Sequence, residues 1–339
     1  MLPALNSSTT RLIITNGDSA LHQFREAGVQ DAILPWRDVL HEGRVPLCDT
    51  RAEFHGIRAS EIGRLFHQPE SEVAAGFAER DRVFANLEDH ERIEIWLEHD
   101  LYDQLQLLDI LDALEDAERG TGVYLVQADD YLGTQSPGEV LRFAENMQPV
   151  SLQMRHEAAQ AWKFFRAGDC RALAAFAHGL TQDLTTLPWL GPALLRFLAE
   201  LPDTASGLGR TQRWCLEELA GAPMPAGKLF GAICAREDAM FMGDLSFFRV
   251  LDTLASAPAP AITGLASTLR EACASEDAYR AFAQSDIALT DFGRALLAGE
   301  ADFIAENSID QWFGGYRASG NDPWRWDEAS LNVRAPKEA

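Results

Sequence analysis

The chain of 339 residues is poor in positive charge. Lysine and arginine together number 29 against 52 aspartate and glutamate residues, which gives a formal net charge of −23 at pH 7. Such an excess of negative charge favours solubility and opposes non-specific binding to nucleic acid or to anionic membrane surfaces. Neither a nucleic acid nor a membrane is therefore an expected partner.

Long apolar runs and closely spaced cysteines are also lacking. No segment approaches the roughly 20 apolar residues of a membrane-spanning helix, and the first residues, MLPALNSSTTR, lack the basic start and apolar core of a signal peptide. The five cysteines are widely spaced and contain no Cys-x-x-Cys pair. This spacing is typical of reduced thiols, so the sequence predicts a cytoplasmic protein.

Several common catalytic and nucleotide-binding motifs are missing as well. The sequence contains no P-loop, no Gly-x-Gly-x-x-Gly, no His-Glu-x-x-His and no Gly-x-Ser-x-Gly motif. These absences argue against dinucleotide binding through the usual glycine fingerprint and against zincin chemistry.

Short apolar runs alternate with helical patterns in the first third of the chain. The predicted strands are Arg11–Thr15, Ala32–Pro35, Ile93–Leu97 and Val123–Val126. Between them, Ser19–Ala27 and Leu101–Leu114 have the apolar spacing of helices. Strands that alternate with helices indicate crossover connections and a mostly parallel sheet. We therefore predict an α/β, Rossmann-like domain over residues 1–135.

The rest of the chain is predicted to be mainly α-helical. We expect a helical connecting region at residues 136–204, a winged-helix-like helical domain at 205–316 and a Trp- and Gly-rich tail at 317–339. Helical patterns followed by two strand-like segments, Ala259–Thr263 and Ile287–Thr290, suggest the winged helix. Residues 205–300 contain eight basic and twelve acidic side chains, which argues against DNA binding and favours packing or dimerisation.

Acidic residues follow every predicted strand. They are Asp18, Asp38, Asp100 and the pair Asp129 and Asp130, joined by Glu98, His99, His41 and Glu42. Ligands of open parallel sheets bind beyond the carboxyl ends of the strands. Carboxylates and imidazoles at this edge can hold a hard divalent cation or transfer protons.

Specific roles follow from this placement. We predict Asp18, Glu98 and Asp100 as ligands of Mg²⁺ or a similar divalent cation, and His41, His99 and Glu98 as catalytic acid–base groups. Arg37 would bind an anionic group, because its planar guanidinium fits phosphate and carboxylate. The predicted substrate-binding residues are Asn16, Gly17, Asp18, Trp36, Arg37 and Glu42.

A purely structural interpretation remains open at each position. Asp18 and Asp100 stand where helices begin, and aspartate is a preferred N-cap. Trp36 is equally typical of a core residue. Capping explains only one residue of Glu98-His99-Asp100, so Glu98 and His99 are the more diagnostic pair.

Three motifs of the first half occur together. They are Asn16-Gly17-Asp18, the loop Trp36-Arg37-Asp38…His41-Glu42-Gly43…Pro46, and Trp96…Glu98-His99-Asp100…Asp103-Gln104. In this combination residues 11–130 resemble the bacterial domain of unknown function 1835 family, and residues 289–315 are similar to the C-terminal region of its longer members. Arg44 stands where the family loop tends to have proline. The family has no established activity, so the resemblance implies no reaction.

Three hypotheses about function follow. The first is a metal-dependent hydrolase or transferase that acts on a small phosphate-containing or nucleotide-like substrate. The second is a non-catalytic, ligand-sensing regulatory or adaptor protein whose winged-helix-like domain contacts a protein or nucleic acid. The third is a structural domain whose acidic residues only cap helices. A homo-oligomer is compatible with all three.

Overall fold

The computed structural model of the chain describes residues 10–182 and 185–337. Most of the N-terminal stretch that lacks signal-peptide features lies outside these residues, as do the outer ends of the first and last predicted domains. No helix of the described ranges is long and apolar enough to cross a membrane.

A five-stranded sheet organises the N-terminal part. The elements of the N-terminal part are, in chain order, β1 (Arg11–Thr15), α1 (Asp18–Glu26), β2 (Ala32–Pro35), β3 (Gly43–Arg44), α2 (Arg51–Phe66), α3 (Glu70–Phe84), β4 (Arg92–Leu97), α4 (Leu101–Asp116), β5 (Val123–Gln127), α5 (Pro137–Val140) and β6 (Gln148–Pro149). The strand order is β2-β1-β4-β5-β6, with β6 antiparallel and the others parallel. The predicted mostly parallel, Rossmann-like sheet is confirmed.

The sequence explains the centre of this sheet. Strand β4 is buried along almost its whole length, as expected for a parallel strand covered on both faces. Asp100 then caps α4 by accepting a hydrogen bond from the Asp103 backbone N–H at 3.1 Å. Helix α1 ends before Gly28, whose φ of 83° is the left-handed conformation expected there.

The connecting region packs as part of the same core. Its long helices are α6 (Leu152–Ala167), α7 (Cys170–Gln182) and α8 (Leu190–Leu198). Their buried side chains, such as Trp162 and Phe197, join those of β1, β4 and α4 in one apolar cluster. This region begins with the short α5, which is followed by a 3₁₀ turn at Leu141–Asn146. Ser136 and Glu139 form a capping box at the start of α5, and the 3₁₀ turn begins two residues after Glu139.

A second core belongs to the next segment. Its elements are α9 (Arg210–Leu219), β7 (Met224–Pro225), α10 (Ala226–Cys234), α11 (Asp244–Ser256), β8 (Ile262–Thr263), α12 (Leu269–Ala272), α13 (Glu276–Ala283), β9 (Asp286–Leu289), α14 (Asp291–Ala298) and α15 (Phe303–Asn307). The three strands form an antiparallel sheet of order β7-β9-β8. Apolar side chains from Leu208 to Ile304 fill this core.

Short strands end the described chain. They are β10 (Ile309–Gly314), β11 (Tyr316–Gly320), β12 (Arg325–Asp327) and β13 (Asn332–Arg334). The hairpin of β10 and β11 crosses the boundary predicted between residues 316 and 317, and β10 also pairs with β3 of the N-terminal part. The end of the chain is thereby joined to the loop that carries His41 and Glu42.

Candidate functional site

Three buried carboxylates meet at the carboxyl end of the central strand. Glu98 follows β4 directly, Asp100 caps α4, and Asp103 lies in the first turn of that helix. One carboxylate oxygen from each lies within 4.8 Å of those of the other two. Their exposed fractions are only 6%, 3% and 0%.

Backbone and amide donors fix the orientation of this acidic cluster, by which we mean Glu98, Asp100 and Asp103. The Leu132 N–H donates to Glu98 Oε1 at 2.7 Å. Asp103 Oδ2 accepts from the Glu98 N–H at 2.5 Å and from Asn16 Nδ2 at 3.1 Å. Its other oxygen, Oδ1, is buried and has no hydrogen-bond partner among the described residues.

No basic side chain of the described ranges forms a salt bridge with the acidic cluster. Burial, and next the charge of Glu98, raise the pKa of Asp100 to about 8. Burial also raises the pKa of Glu98, and burial together with the charges of Asp100 and Glu98 raises that of Asp103 well above its ordinary value. Without a cation, the three carboxyl groups therefore hold their protons more tightly than free carboxyl groups do.

A cavity of about 340 Å³ opens onto the acidic cluster. Asn16, Gly17 and Asp18, which follow β1, line one side of it, as the sequence predicts. The other side is formed by Tyr102, Tyr131 and residues 240–243 from the loop between α10 and α11. We call this space the acidic cavity.

Asp18 lies at the mouth of the cavity and outside the cluster. Arg37 Nε and Nη2 donate to its two carboxylate oxygens at 2.9 and 2.6 Å. This pairing lowers the pKa of Asp18, and both side chains are largely exposed. Asp18 begins α1 without capping it, because Gly17 occupies the N-cap position. The structure thus places the predicted metal ligand Asp18 in an ion pair, and Asp103 in the position beside Glu98 and Asp100.

His41 lies behind the acidic cavity. Its ring packs edge-on against Tyr102 and Phe241, with centroids 6.0 and 5.1 Å away. Burial lowers its pKa to about 4, so the imidazole is neutral at physiological pH. Neither ring nitrogen has a hydrogen-bond partner among the residues described. The neighbouring Glu42 is engaged elsewhere, since it accepts from Arg249 Nε of α11 at 2.5 Å.

Trp36 and the adjacent Asp38 are parts of the core. Trp36 is fully buried, and its Nε1 donates to Asp109 at 2.9 Å. Asp38 forms a buried ion pair with Arg58 at 2.7 Å. The expectation that Trp36 binds substrate is wrong in its placement, because the indole ring faces α4 and lines neither the acidic cavity nor the larger cavity beside it.

His99 is separated from the residues on either side of it. Its ring contacts Tyr131 and Trp189, with centroids at 5.2 and 5.7 Å, and it does not line the acidic cavity. Alternation along an extended segment places successive side chains on opposite faces, so Glu98 and Asp100 face the cavity while His99 faces away. The structure does not bring His99 and His41 together.

Sequence reasoning missed two contributions to the site. Asp103 was visible as a carboxylate three residues after Asp100, a spacing that places both on one side of a helix start. Phe241 and Met242 come from a segment more than 130 residues away, for which no local signal exists.

Three carboxylates with an orphaned oxygen match the ligand preference of hard divalent cations. A cation would replace the missing basic partner and stabilise the charged forms of all three. Comparison with protein-family models finds no match for this chain, and no curated protein matches it either. The chemistry of the site is therefore inferred from its own residues.

Proposed function

We propose that this protein is a divalent-cation-dependent hydrolase or transferase acting on a phosphate-containing or nucleotide-like substrate. The observation that carries the proposal is the burial of Glu98, Asp100 and Asp103 within 4.8 Å of one another with no basic partner in the described chain. Structural capping accounts for Asp100 alone. A fold gains nothing from two further buried carboxylates unless a cation or proton compensates them.

The acidic cluster would hold Mg²⁺ or a similar cation, which supplies Lewis-acid stabilisation to a phosphoryl oxygen when bound. Arg37 pairs with Asp18, which lines the acidic cavity, and its guanidinium can release Asp18 to bind an anionic group of the substrate. Asn16 orients Asp103 through its amide. Of the predicted acid–base groups, Glu98 belongs to the cluster, and His41 supplies a neutral imidazole behind Tyr102.

Calorimetric titration with MgCl₂ and MnCl₂ tests the cation site. Wild type is compared with Asp103→Asn, which keeps the side-chain shape, and with Asp129→Asn, which removes an exposed carboxylate at the same edge of the sheet. We expect one cation per chain in wild type and in Asp129→Asn, and at least tenfold weaker binding in Asp103→Asn. Equal binding by all three proteins, or none, would overturn the cation site.

Catalysis is tested separately on a panel of phosphomonoesters and nucleotides. Release of inorganic phosphate should require Mg²⁺ or Mn²⁺, stop with EDTA and be lost in Asp103→Asn. A cation that binds without supporting turnover of any panel member would instead favour the ligand-sensing alternative.

The arrangement of helices and strands in residues 205–316 is one feature that favours the ligand-sensing alternative. We infer a winged-helix-like module there, because α9, α10 and α11 accompany a small antiparallel sheet of order β7-β9-β8. Helix α11 would be the recognition helix of such a module. It is engaged within the chain, however: Arg249 binds Glu42, and Leu245 packs against the apolar cluster of α2 and α3.

Chromatography on a DNA column at low salt discriminates between the two functions. With α11 held against the α/β part and an acidic charge balance, we expect the protein to pass unretained. Retention that disappears with Arg249→Ala would support an adaptor that contacts nucleic acid. The resemblance to the domain of unknown function 1835 family, a cytoplasmic location and a homo-oligomeric state stay predictions.

A further inference from the structure

A second, larger cavity adjoins the acidic one. Its volume is about 620 Å³, within the range of about 300–1,000 Å³ that is usual for small-molecule sites. It lies between the end of β2, helices α2 and α3, and residues 241–246. Its wall is mainly apolar and includes Ile62, Phe66, Val73, Phe77 and Leu245. We call it the apolar cavity.

The two cavities share a wall and a border. Tyr102, Phe241 and Gly243 line both of them. Arg37 lines the apolar cavity, whereas its ion-pair partner Asp18 lines the acidic one. An anionic group at this border would meet the Arg37 guanidinium on one side and the cation site on the other.

A glycine of α3 lines the apolar cavity. Gly76 lies in the middle of the helix, on the same side as Val73, Phe77 and Arg80, and lines the cavity. A Cβ atom at this position would meet nothing within 4 Å. Position 76 therefore has room for a larger side chain at the wall of the apolar cavity.

His41 is a buried, unpartnered side chain in the same wall. It lines the apolar cavity, its side chain is only 5% exposed, and both ring nitrogens lack a partner within the described residues. Buried polar atoms are normally hydrogen-bonded, and an orphaned pair calls for a specific explanation. The imidazole is therefore a polar group that the described residues leave unsatisfied at this wall.

We propose that the apolar cavity binds the organic group of the substrate, and that this group is aromatic or similarly apolar, so that the substrate is an aryl-type phosphate ester whose phosphate faces the acidic cluster. The proposal rests on the proposed function for the position of the phosphate. The position of the organic group rests on the apolar cavity, on the wall that it shares with the acidic cavity, and on Arg37 in its lining.

Binding of two phosphonates tests the assignment, because their C–P bond is not hydrolysed. Naphthylmethylphosphonate carries a ring and methylphosphonate does not. Each is titrated calorimetrically, with saturating MgCl₂, into wild type, Gly76→Trp and the control Gly56→Trp. Gly56 is a helical, exposed glycine of α2 with open space around its Cβ position, and it lines neither the apolar cavity nor the acidic cavity.

In wild type and Gly56→Trp, we expect the ring to strengthen binding at least tenfold. In Gly76→Trp this advantage should vanish, while Mg²⁺ binding and the unfolding temperature stay unchanged. The absence of a ring advantage in wild type, or its persistence in Gly76→Trp, would overturn the proposal. A third outcome separates the two proposals. If the ring strengthens binding in wild type but not in Gly76→Trp, and no cation binds to either protein, the apolar site is upheld and the metal-dependent function is overturned.

Discussion

Replacing Asp103 by asparagine should stabilise the cation-free protein. One carboxylate oxygen from each residue of the acidic cluster lies within 4.8 Å of the other two, and two full charges at that distance repel by about 3.5 kcal/mol at an effective dielectric constant of about 20. Proton uptake relieves part of this repulsion, since the pKa of Asp100 is raised to about 8 by burial and by Glu98. We expect a gain of about 1–3 kcal/mol in the free energy of unfolding at pH 8.

Asparagine preserves the local geometry of the site. Its carbonyl oxygen can still accept from the Glu98 N–H and from Asn16, as Asp103 Oδ2 does. Its amide can donate where Oδ1 now lacks a partner among the described residues. The substitution therefore removes a charge without removing a hydrogen bond.

The sign of the pH dependence is fixed by the raised pKa values. Below the ordinary carboxyl pKa of 3.8 both folded and unfolded chains are protonated at Asp100, and no penalty arises. As the pH rises from about 4 to 8, the unfolded chain releases its protons first, so the folded state progressively loses stability over this range. The advantage of Asp103→Asn should therefore shrink toward zero near pH 4.

Urea unfolding in EDTA at pH 5, 6.5 and 8 measures this effect, with Asp129→Asn as the exposed control. The control should stay within about 0.5 kcal/mol of wild type. Adding MgCl₂ should stabilise wild type and leave Asp103→Asn unchanged. A loss of stability in Asp103→Asn that is equal at all three pH values would refute the reasoning, because the Asp103 carboxylate would then stabilise the folded protein.

Three further predictions concern the surroundings of the site. Arg58→Met should cost about 3–5 kcal/mol in urea unfolding, because it leaves Asp38 charged and buried; a loss below about 1 kcal/mol would contradict this. Gly315→Ala should cost roughly 2 kcal/mol, since its Cβ would lie 1.9 Å from the carbonyl oxygen of Arg166; unchanged stability would show that the hairpin does not pack on α6. His41 has a lowered pKa, so wild type should lose about 2–3 kcal/mol more than His41→Phe as the pH falls from 7 to 4; parallel unfolding curves would exclude a buried neutral imidazole.

Local patterns were sufficient for the parallel sheet. The short, mostly apolar run before Glu98 and the apolar spacing after Asp100 predict β4 and α4 to within two residues of their observed ends. The same patterns place Asn16, Gly17 and Asp18 at the sheet edge, where they line the acidic cavity. Burial on both faces of the sheet leaves these elements little freedom, so sequence and structure agree.

Local patterns do not predict pairing between strands that lie far apart in the chain. Strand β3 has two residues, and its partner β10 lies more than 260 residues away. The Gly- and Trp-containing end was therefore predicted as a tail, although it forms two hairpins. Likewise, the packing of Phe241 against His41 depends on a tertiary contact between distant segments, which no spacing in the chain encodes.

A crystal soaked in MnCl₂ tests the central claim most directly. Anomalous scattering should reveal one strong manganese peak between the carboxylates of Glu98, Asp100 and Asp103, and the peak should be absent in Asp103→Asn. A wild-type crystal with manganese bound only at other carboxylates, or with the acidic cluster unchanged and no peak beside it, would contradict the account.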